Sequence, residues 1–167
     1  MIKQAAPGKS KSVYLGMKKL ILCTLMLLSL KSYAQQTERD AIKQTVNTMF
    51  NAIRRGDSTL LRSTFAMGIV FHSVANKKDG TVSLETENPD DFIKMVGTPH
   101  KGIYDERITF ADIKIDGPLA SVWAPYKFYL GNTFSHCGVD VFQLMKTKDG
   151  WKIIYIADTR RKDNCPE

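Results

Sequence analysis

The strongest constraint on the fold of this chain is its C-terminal stretch, residues 119–160, which contains three strand patterns in succession. Each pattern is rich in β-branched and aromatic side chains, which favour a half-buried pleated surface. The three runs are residues 120–130, 134–145 and 151–160. Gly131-Asn132 and Lys148-Asp149-Gly150 separate them, and both sequences suit tight turns. The stretch therefore predicts an antiparallel meander of three strands.

Helices are predicted before this meander. Apolar side chains recur every three or four positions over residues 41–53, as they do on one side of an amphipathic helix. A second, shorter helix is predicted from Asp57 or Ser58 through Phe65. A third is predicted from Asn88 to Gly97, because an Asn cap followed by Pro is a common helix start.

The remaining segments before the meander have strand patterns. Residues 69–75 and 81–85 predict a hairpin around a Gly-containing loop, and residues 104–116 alternate well enough to predict one further strand. The predicted order is thus helix, helix, hairpin, helix and four strands. Helices grouped before an antiparallel sheet indicate an α+β fold, and residues 35–167 are expected to form a single domain.

The net charge of +7 does not indicate a nucleic-acid-binding protein, because it lies mainly in the leader. Residues 1–34 contain six Lys and no Asp, Glu or Arg, whereas the rest of the chain has 18 Lys and Arg against 17 Asp and Glu. A basic surface that would attract phosphates is therefore not predicted, and no nucleic-acid partner is expected.

The leader itself has the pattern of a secretory signal peptide over residues 17–34. Lys18-Lys19 precede an apolar run, residues 20–30, and Ser32-Tyr33-Ala34 offers small residues before a cleavage site at Gln35. The run is too short to cross roughly 30 Å of hydrocarbon as a helix. The sequence therefore predicts export to the periplasm or the medium, with no membrane anchor after cleavage.

Export would place the two cysteines of the mature chain where disulfides persist. Cys137 lies within the second meander strand and Cys165 in the tail. One reading is a bridge that ties the tail to the sheet, and the other is two unpaired thiols, one buried and one exposed. Two cysteines at this spacing do not make a metal site.

Strand alternation sorts the meander into two faces and brings candidate polar side chains together. One face of the second strand carries Phe134, His136, Gly138, Asp140 and Phe142. On the first strand, Val122, Tyr126 and Phe128 share one face. On the third, Asp158 and Arg160 share a face with Ile154 and Ile156.

His136 and Asp140 are the candidate catalytic residues, although none is assigned. They are four residues apart, roughly 13 Å along a strand, so each is expected to meet a partner from a neighbouring strand. The functional reading is a His that exchanges a proton beside a ligand, with Asp140 tuning it. The structural reading is a polar network that satisfies buried groups. His72 and His100 are expected to face solvent, and no metal site is predicted.

The order of elements over residues 37–160 resembles the nuclear-transport-factor-2-like superfamily, in which a curved sheet surrounds helices to form a cone. More narrowly, four short segments resemble its exported bacterial "putative lumazine-binding" branch. They are His136-Cys-Gly-Val-Asp140, Phe142-Gln-Leu, Asp149-Gly-Trp-Lys-Ile153 and Asp158-Thr-Arg-Arg161. The resemblance implies a curved mixed or antiparallel sheet with an internal pocket between its concave face and the first helix.

The resemblance also implies which residues would meet a ligand or a second copy of the chain. The expected ligand pocket consists of Phe50, Tyr126, Phe128, His136, Asp140, Phe142, Asp158 and Arg160. On the outer face, Trp123, Tyr129, Val139 and Val141 would form an apolar patch. In this superfamily that face often mediates dimerisation, so a homodimer is expected.

Three functions remain open on the sequence alone. The first is an exported, non-catalytic domain that holds a small, partly aromatic or apolar molecule. The second is an acid/base enzyme of the same fold, resembling isomerases, cyclases or dehydratases. The third is a protein-interaction module whose cone is filled by its own side chains. The sequence has no phosphate-binding glycine loop and no Gly-x-Ser-x-Gly elbow, which would carry a nucleophilic serine. No cofactor is expected.

Overall fold

A computed structural model of the protein describes residues 35–77, 79–99 and 101–166. The predicted signal peptide, residues 17–34, and His100 lie outside the described residues. Residues Arg39–Glu167 form one compact unit, to which all of the features that follow belong apart from the first turn of the first helix, residues 35–38.

Helices lie near the positions that the sequence predicts. Residues 35–55 are helical (α1), followed by α2, Ser58–Ser63, and α3, Pro89–Gly97. The side chain of Asn88 accepts a hydrogen bond from the backbone N–H of Asp90, which confirms the predicted start of α3. The prediction that α2 extends to Phe65 is wrong, because Thr64 caps it and a strand begins at Phe65.

In the described part of the chain, seven strands form one mixed sheet. They are β1, Phe65–Asn76; β2, Val82–Glu87; β3, Tyr104–Ile108; β4, Asp112–Asp116; β5, Leu119–Leu130; β6, Thr133–Thr147; and β7, Gly150–Thr159. Their order is β2-β1-β7-β6-β5-β3, and β4 also pairs with β5. Neighbours are antiparallel apart from β1 and β7, which are parallel. The predicted meander and α+β class, with a curved mixed sheet beside N-terminal helices, are confirmed.

The single strand predicted over residues 104–116 is in fact two strands. Both pair with β5, and the backbone N–H groups of Thr109 and Ala111 still donate to carbonyl oxygens of that strand. The segment between β3 and β4 therefore remains attached to the sheet although it leaves the regular ladder.

Two bulges change which side chains share a face. Phe128 pairs with His136 but Tyr129 pairs with Phe134, so Ser135 is an extra residue. Phe134 consequently packs against Tyr129, with ring centroids 5.8 Å apart, and not on the His136 face as predicted. In the pairing of β6 with β7, Gln143 pairs with Tyr155 and Leu144 with Ile153, so Ile154 is an extra residue. As a result Ile153, and not Ile154 as predicted, packs in the core, where it is completely buried.

The core lies between α1 and the inner face of the sheet, which carries Val122, Ala124 and Phe142. Val46 and Ile42 of α1 are completely buried, as is Phe142. This confirms the apolar stripe predicted for the first helix from Ile42 onward, whereas Ala41, predicted as its first member, is exposed. Within the residues described, no helix combines the length and apolar character needed to cross a membrane.

Candidate functional site

A cavity of about 670 Å³ lies between α1, α3 and the inner face of the sheet. Met49, Phe50 and Ile53 of α1 form one wall, and Phe92 of α3 forms another. Strands β3, β5, β6 and β7 supply most of the remaining surface. The rim is exposed at Met95 of α3, so the cavity opens beside that helix.

The structure places all eight residues that were predicted for a ligand pocket on the wall of this cavity. They are Phe50, Tyr126, Phe128, His136, Asp140, Phe142, Asp158 and Arg160. Register explains why they meet: Phe128 pairs with His136, and Asp140 pairs with Asp158, so three neighbouring strands present them on one face. That these side chains bind a ligand stays a prediction.

Aromatic rings make up most of the apolar wall. The ring of Phe128 lies 5.0 Å from that of His136 and 6.0 Å from that of Tyr104. Phe50 and Phe142 meet edge to face at 6.0 Å. Such rings offer flat surfaces against which a planar molecule can stack.

A pair of carboxyl groups lies at the polar end of the cavity. Glu106 stands opposite Phe128 in the β3–β5 ladder, and its carboxyl group hydrogen-bonds that of Asp140. Asp140 is only 5% exposed. Apart from the carboxyl group of Glu106, no N–H or O–H group of the described residues donates to its Oδ2 atom. A hydrogen bond between two carboxyl groups requires that one of them carry a proton.

Burial changes the acidity of both carboxyl groups. It is the main reason why the pKa of Glu106 rises to about 7, and the charge of Asp158 adds to the effect. Burial, followed by the charge of Glu106, raises the pKa of Asp140 well above its ordinary value. The two groups titrate as a pair, and since the pKa of Glu106 is about 7, the pair is still partly protonated at neutral pH.

A second polar group, Tyr126, Asp158 and Arg160, adjoins the pair. The Tyr126 hydroxyl donates to the backbone oxygen of Thr159 at 2.9 Å and lies 3.4 Å from Oδ2 of Asp158. Nε of Arg160 donates to the same Oδ2 at 2.7 Å, and Nη2 donates to Oε1 of Glu87 at 3.0 Å. The guanidinium thus joins Asp158 to Glu87 at the rim.

In this second polar group, Tyr126 and Arg160 both stay protonated at neutral pH. Burial raises the pKa of Tyr126, and the charge of Asp158 raises it further, so the phenol stays neutral. Burial alone would lower the pKa of Arg160, but the hydrogen bond and charge of Asp158 raise it. Arg160 is therefore a permanent cation whose charge is already offset by two carboxylates.

His136 is not tuned by Asp140 as the sequence suggested. Its Nδ1 atom lies 3.0 Å from the Ser135 hydroxyl. Burial and the positive charge of Arg160 lower the pKa of His136, while Asp158 acts against them. The imidazole ring of His136 is therefore neutral at pH 7. The carboxyl group of Asp140 hydrogen-bonds to Glu106 and not to His136.

Glu106 is the important residue that the sequence reasoning missed. It alternates with Tyr104 and Ile108, whose side chains pack against the core. A carboxyl group at the centre of an apolar alternation is a signal that could have identified it. Phe92 and Met95 of α3 were missed as cavity residues because the inward direction of that helix was not worked out.

The other polar candidates lie away from the cavity. His72 is half-buried on the outer face, and its Nδ1 lies 3.0 Å from the Tyr155 hydroxyl, so it does not simply face solvent as expected. Cys137 and Cys165 form a disulfide, which decides between the two readings of these thiols. Over the described part of the chain, no group of three or more His, Cys, Asp or Glu residues is arranged to hold a metal ion.

The carboxyl pair predicts an unusual pH dependence of stability. The folded protein keeps a proton on Glu106 up to about pH 7, whereas an unfolded chain releases it near the ordinary value of 4.5. The free energy of unfolding is therefore expected to fall by roughly 2–3 kcal/mol between about pH 4.5 and pH 7.5. Urea unfolding across this range measures the slope.

Two variants test whether the carboxyl pair causes this pH dependence of the free energy of unfolding. Glu106→Gln keeps the shape without the titration and should remove the part of the slope that Glu106 contributes, whereas Glu85→Gln, on an exposed position of β2, should leave the slope unchanged. Asp105, whose pKa is lowered by hydrogen bonds from Arg107 and Arg54 despite partial burial, acts at lower pH. An unchanged slope in Glu106→Gln contradicts the assignment.

Comparison with known proteins yields one family and many similar folds. The sequence profile of a family described as "Putative lumazine-binding" matches residues 37–156. Among proteins with curated descriptions, none matches this chain.

Solved structures of low sequence identity share the fold. An NTF2-like protein of unknown function from Shewanella baltica is 18% identical with a TM-score of 0.59, covering 76% of this chain and 96% of that one. An NTF2-like protein with a cystatin-like fold from Novosphingobium aromaticivorans is 11% identical with a TM-score of 0.63, covering 84% and 92%. A domain of unknown function from Nostoc punctiforme, also cystatin-like, is 17% identical with a TM-score of 0.58, covering 77% and 80%. These similarities confirm the expected superfamily fold.

Proposed function

The chain belongs to the "Putative lumazine-binding" family, and from that premise we propose that it is a small-molecule-binding domain whose ligand is flat and partly aromatic. The ligand would occupy the cavity between α1, α3 and the inner face of the sheet. The observation that carries the proposal is the make-up of this cavity. Seven Phe and Tyr rings line it, and its carboxyl pair, of which Asp140 is buried and Glu106 half-buried, lies at one end. Its volume of about 670 Å³ is typical of small-molecule sites.

Lumazine itself, a fluorescent bicyclic heterocycle, is the first probe. We expect it to bind, with its rings stacked on Phe128 and its polar edge toward Asp140. Replacing Phe128 with alanine removes the ring beside His136 and should weaken binding about tenfold, the loss expected for one aromatic contact. Fluorescence titration measures the dissociation constant.

The matched control is the neighbouring residue on the same strand. Lys127 is exposed on the outer face, so Lys127→Ala should leave the dissociation constant unchanged. Equal effects of the two substitutions would show that lumazine binds elsewhere. If lumazine does not bind at all, and mass spectrometry of the purified protein finds no co-purifying aromatic molecule, the proposal is wrong.

The carboxyl pair favours an acid/base enzyme as a second candidate. A carboxyl group whose pKa lies near 7 can both donate and accept a proton, and Glu106 has that property in an aromatic cavity. An enzyme of this kind would exchange a carbon-bound hydrogen of its ligand with D2O, and Glu106→Gln would abolish the exchange. Bound ligand that takes up no deuterium would leave the binding function alone.

The third function, an interaction module with a cone filled by its own side chains, lacks support. An open space of about 670 Å³ remains where such a module would be packed solid.

We also propose that the mature protein is exported, to the periplasm or the medium. The support is the signal-like pattern of residues 17–34 together with the Cys137–Cys165 disulfide, which is typical of oxidising compartments. Intact-mass measurement of protein expressed in its full length should find a mature chain that begins at Gln35. A chain that keeps residues 1–34 and stays in the cytoplasm would contradict export.

The outer sheet face supports a homodimer as a further part of this proposal. Trp123 is 51% exposed there and stands beside Val141 in the ladder, and Val74 and Leu84 are also exposed on this face. Burying such a patch against a second copy would remove apolar surface from water. We expect a dimer by light scattering that Trp123→Glu converts to a monomer. Met67→Glu, at a fully exposed site on β1, should leave the dimer intact; a monomeric wild type contradicts the proposal.

A further inference from the structure

We propose that the cavity selects ligands whose polar end is a basic, N–H-bearing cation such as an amidinium, and that Asp140 and Glu106 bind this end. This inference rests on the proposed small-molecule-binding function and specifies the class of ligand. The structural basis is the placement of a proton-sharing carboxyl pair at one end of an aromatic cavity that carries an excess of acidic groups.

Apart from each other, the two carboxyl groups offer a ligand more acceptors than donors. Asp140 is buried against the cavity, and apart from the carboxyl group of Glu106 no N–H or O–H group of the described residues donates to its Oδ2. A carboxyl group in that position gains most from a ligand that brings its own donors. An amidinium presents two parallel N–H groups, which match the two oxygens of a carboxylate.

The charges on the cavity wall favour a cation over an anion. Five carboxyl groups line the cavity, those of Glu87, Asp91, Glu106, Asp140 and Asp158. Arg160 is the one Lys or Arg among the lining residues, and it already binds Asp158 and Glu87. His136 adds no positive charge at neutral pH, because burial and Arg160 lower its pKa. An anionic ligand would therefore meet uncompensated carboxylates.

The aromatic wall adds a second attraction for a cation. Phe128 stands opposite Glu106 in the β3–β5 ladder, and Tyr126 lies on the same face of β5. Tyr104 packs near Phe128. Ring faces attract cations within about 6 Å. A flat aromatic cation would thus stack on the rings while its N–H groups reach the carboxyl pair.

Binding by this route releases a proton. The empty pair is partly protonated at neutral pH, since burial raises the pKa of both groups and that of Glu106 is about 7. An amidinium stays protonated throughout, so its positive charge replaces the shared proton, which leaves to solvent. The balance is one cation bound and up to one proton released, with no bond formed or broken in the ligand. A neutral ligand would release none.

The experiment compares two bicyclic compounds of the same shape, 2-naphthamidinium and neutral 2-naphthamide. Calorimetry at pH 7 in two buffers of different ionisation enthalpy gives both affinity and proton release. We expect the amidinium to bind at least tenfold more tightly than the amide, with release of roughly 0.5–1 proton. Asp140→Asn and Glu106→Gln, each checked for folding by circular dichroism, should reduce the preference to less than threefold and lower the number of protons released.

The outcomes separate this inference from the function on which it rests. Lumazine or the amide binding as tightly as the amidinium, without proton release, overturns the cation preference and leaves small-molecule binding intact. Failure of lumazine, the amide and the amidinium alike overturns both. If both variants fail to fold, proton release by the wild-type protein alone still decides, because a structural pair that meets no ligand would release nothing.

Discussion

Gly138→Ala is expected to destabilise the protein by about 3 kcal/mol or more, because the added methyl group has no space. A Cβ atom at this position would lie 1.7 Å from the backbone oxygen of Thr159 and 2.9 Å from the ring of Tyr126. The obstacle is backbone, which cannot rotate away as a side-chain tip can. The end of β7 would have to move off β6, and Asp158 and Arg160 would move with it.

The measurement is urea unfolding of Gly138→Ala beside a matched glycine. At Gly102 an added Cβ would meet the tip of Leu130 at 2.8 Å, but that side chain is half-exposed and can turn away. Gly102→Ala is therefore expected to cost less than about 1 kcal/mol. If the two variants lose similar stability, the close approach of Thr159 to Gly138 is not a feature of the protein in solution.

Gly138 also explains why the polar groups meet at this end of the cavity. The Tyr126 hydroxyl donates to the same Thr159 oxygen that an alanine would strike. The Thr159 hydroxyl in turn accepts a hydrogen bond from the backbone N–H of Val139. Because Gly138 has no side chain, β7 can approach β6 closely enough for the Tyr126 hydroxyl to reach Asp158 and the backbone oxygen of Thr159. Folded Gly138→Ala should therefore also bind lumazine more weakly.

The sequence predicted the architecture because it depends on patterns that local chemistry determines. The meander follows from β-branched runs and turn residues, and α3 follows from the Asn88 cap and Pro89. Alternation also sufficed to bring Tyr126, His136 and Asp140 to one face, since strand register preserves parity. These features need no knowledge of distant contacts.

The errors have a common physical origin in the pairing between strands. A bulge shifts parity by one, so Phe134 and Ile154 were assigned to the wrong faces. Whether a strand contains a bulge depends on its partner strand and not on its own sequence. The partner of Asp140 was missed for the same reason. Glu106 lies on a strand that is distant in sequence, and only the position of β3 beside β5 brings it to the cavity.

Reducing the Cys137–Cys165 disulfide is expected to lower the free energy of unfolding by about 3–4 kcal/mol. The bridge closes a loop with a sequence separation of 28, which in the chain-entropy account restricts the unfolded ensemble by that amount. For a domain of this size the loss corresponds to a decrease in melting temperature of about 10 °C. Thermal unfolding with and without reductant measures it.

The variant Cys165→Ser isolates the bridge from the packing of its partner. Cys137 is completely buried, so replacing it would also disturb the core, whereas Cys165 lies in the half-exposed tail. Cys165→Ser should match the reduced wild type in stability and should not respond to reductant. The backbone of Cys137 and Arg161 exchanges two hydrogen bonds, at 2.8 and 2.9 Å, which hold the start of the tail without the bridge. The reduced protein should therefore still fold and bind its ligand. If Cys165→Ser loses stability while the wild type does not respond to reductant, the bridge is absent in solution.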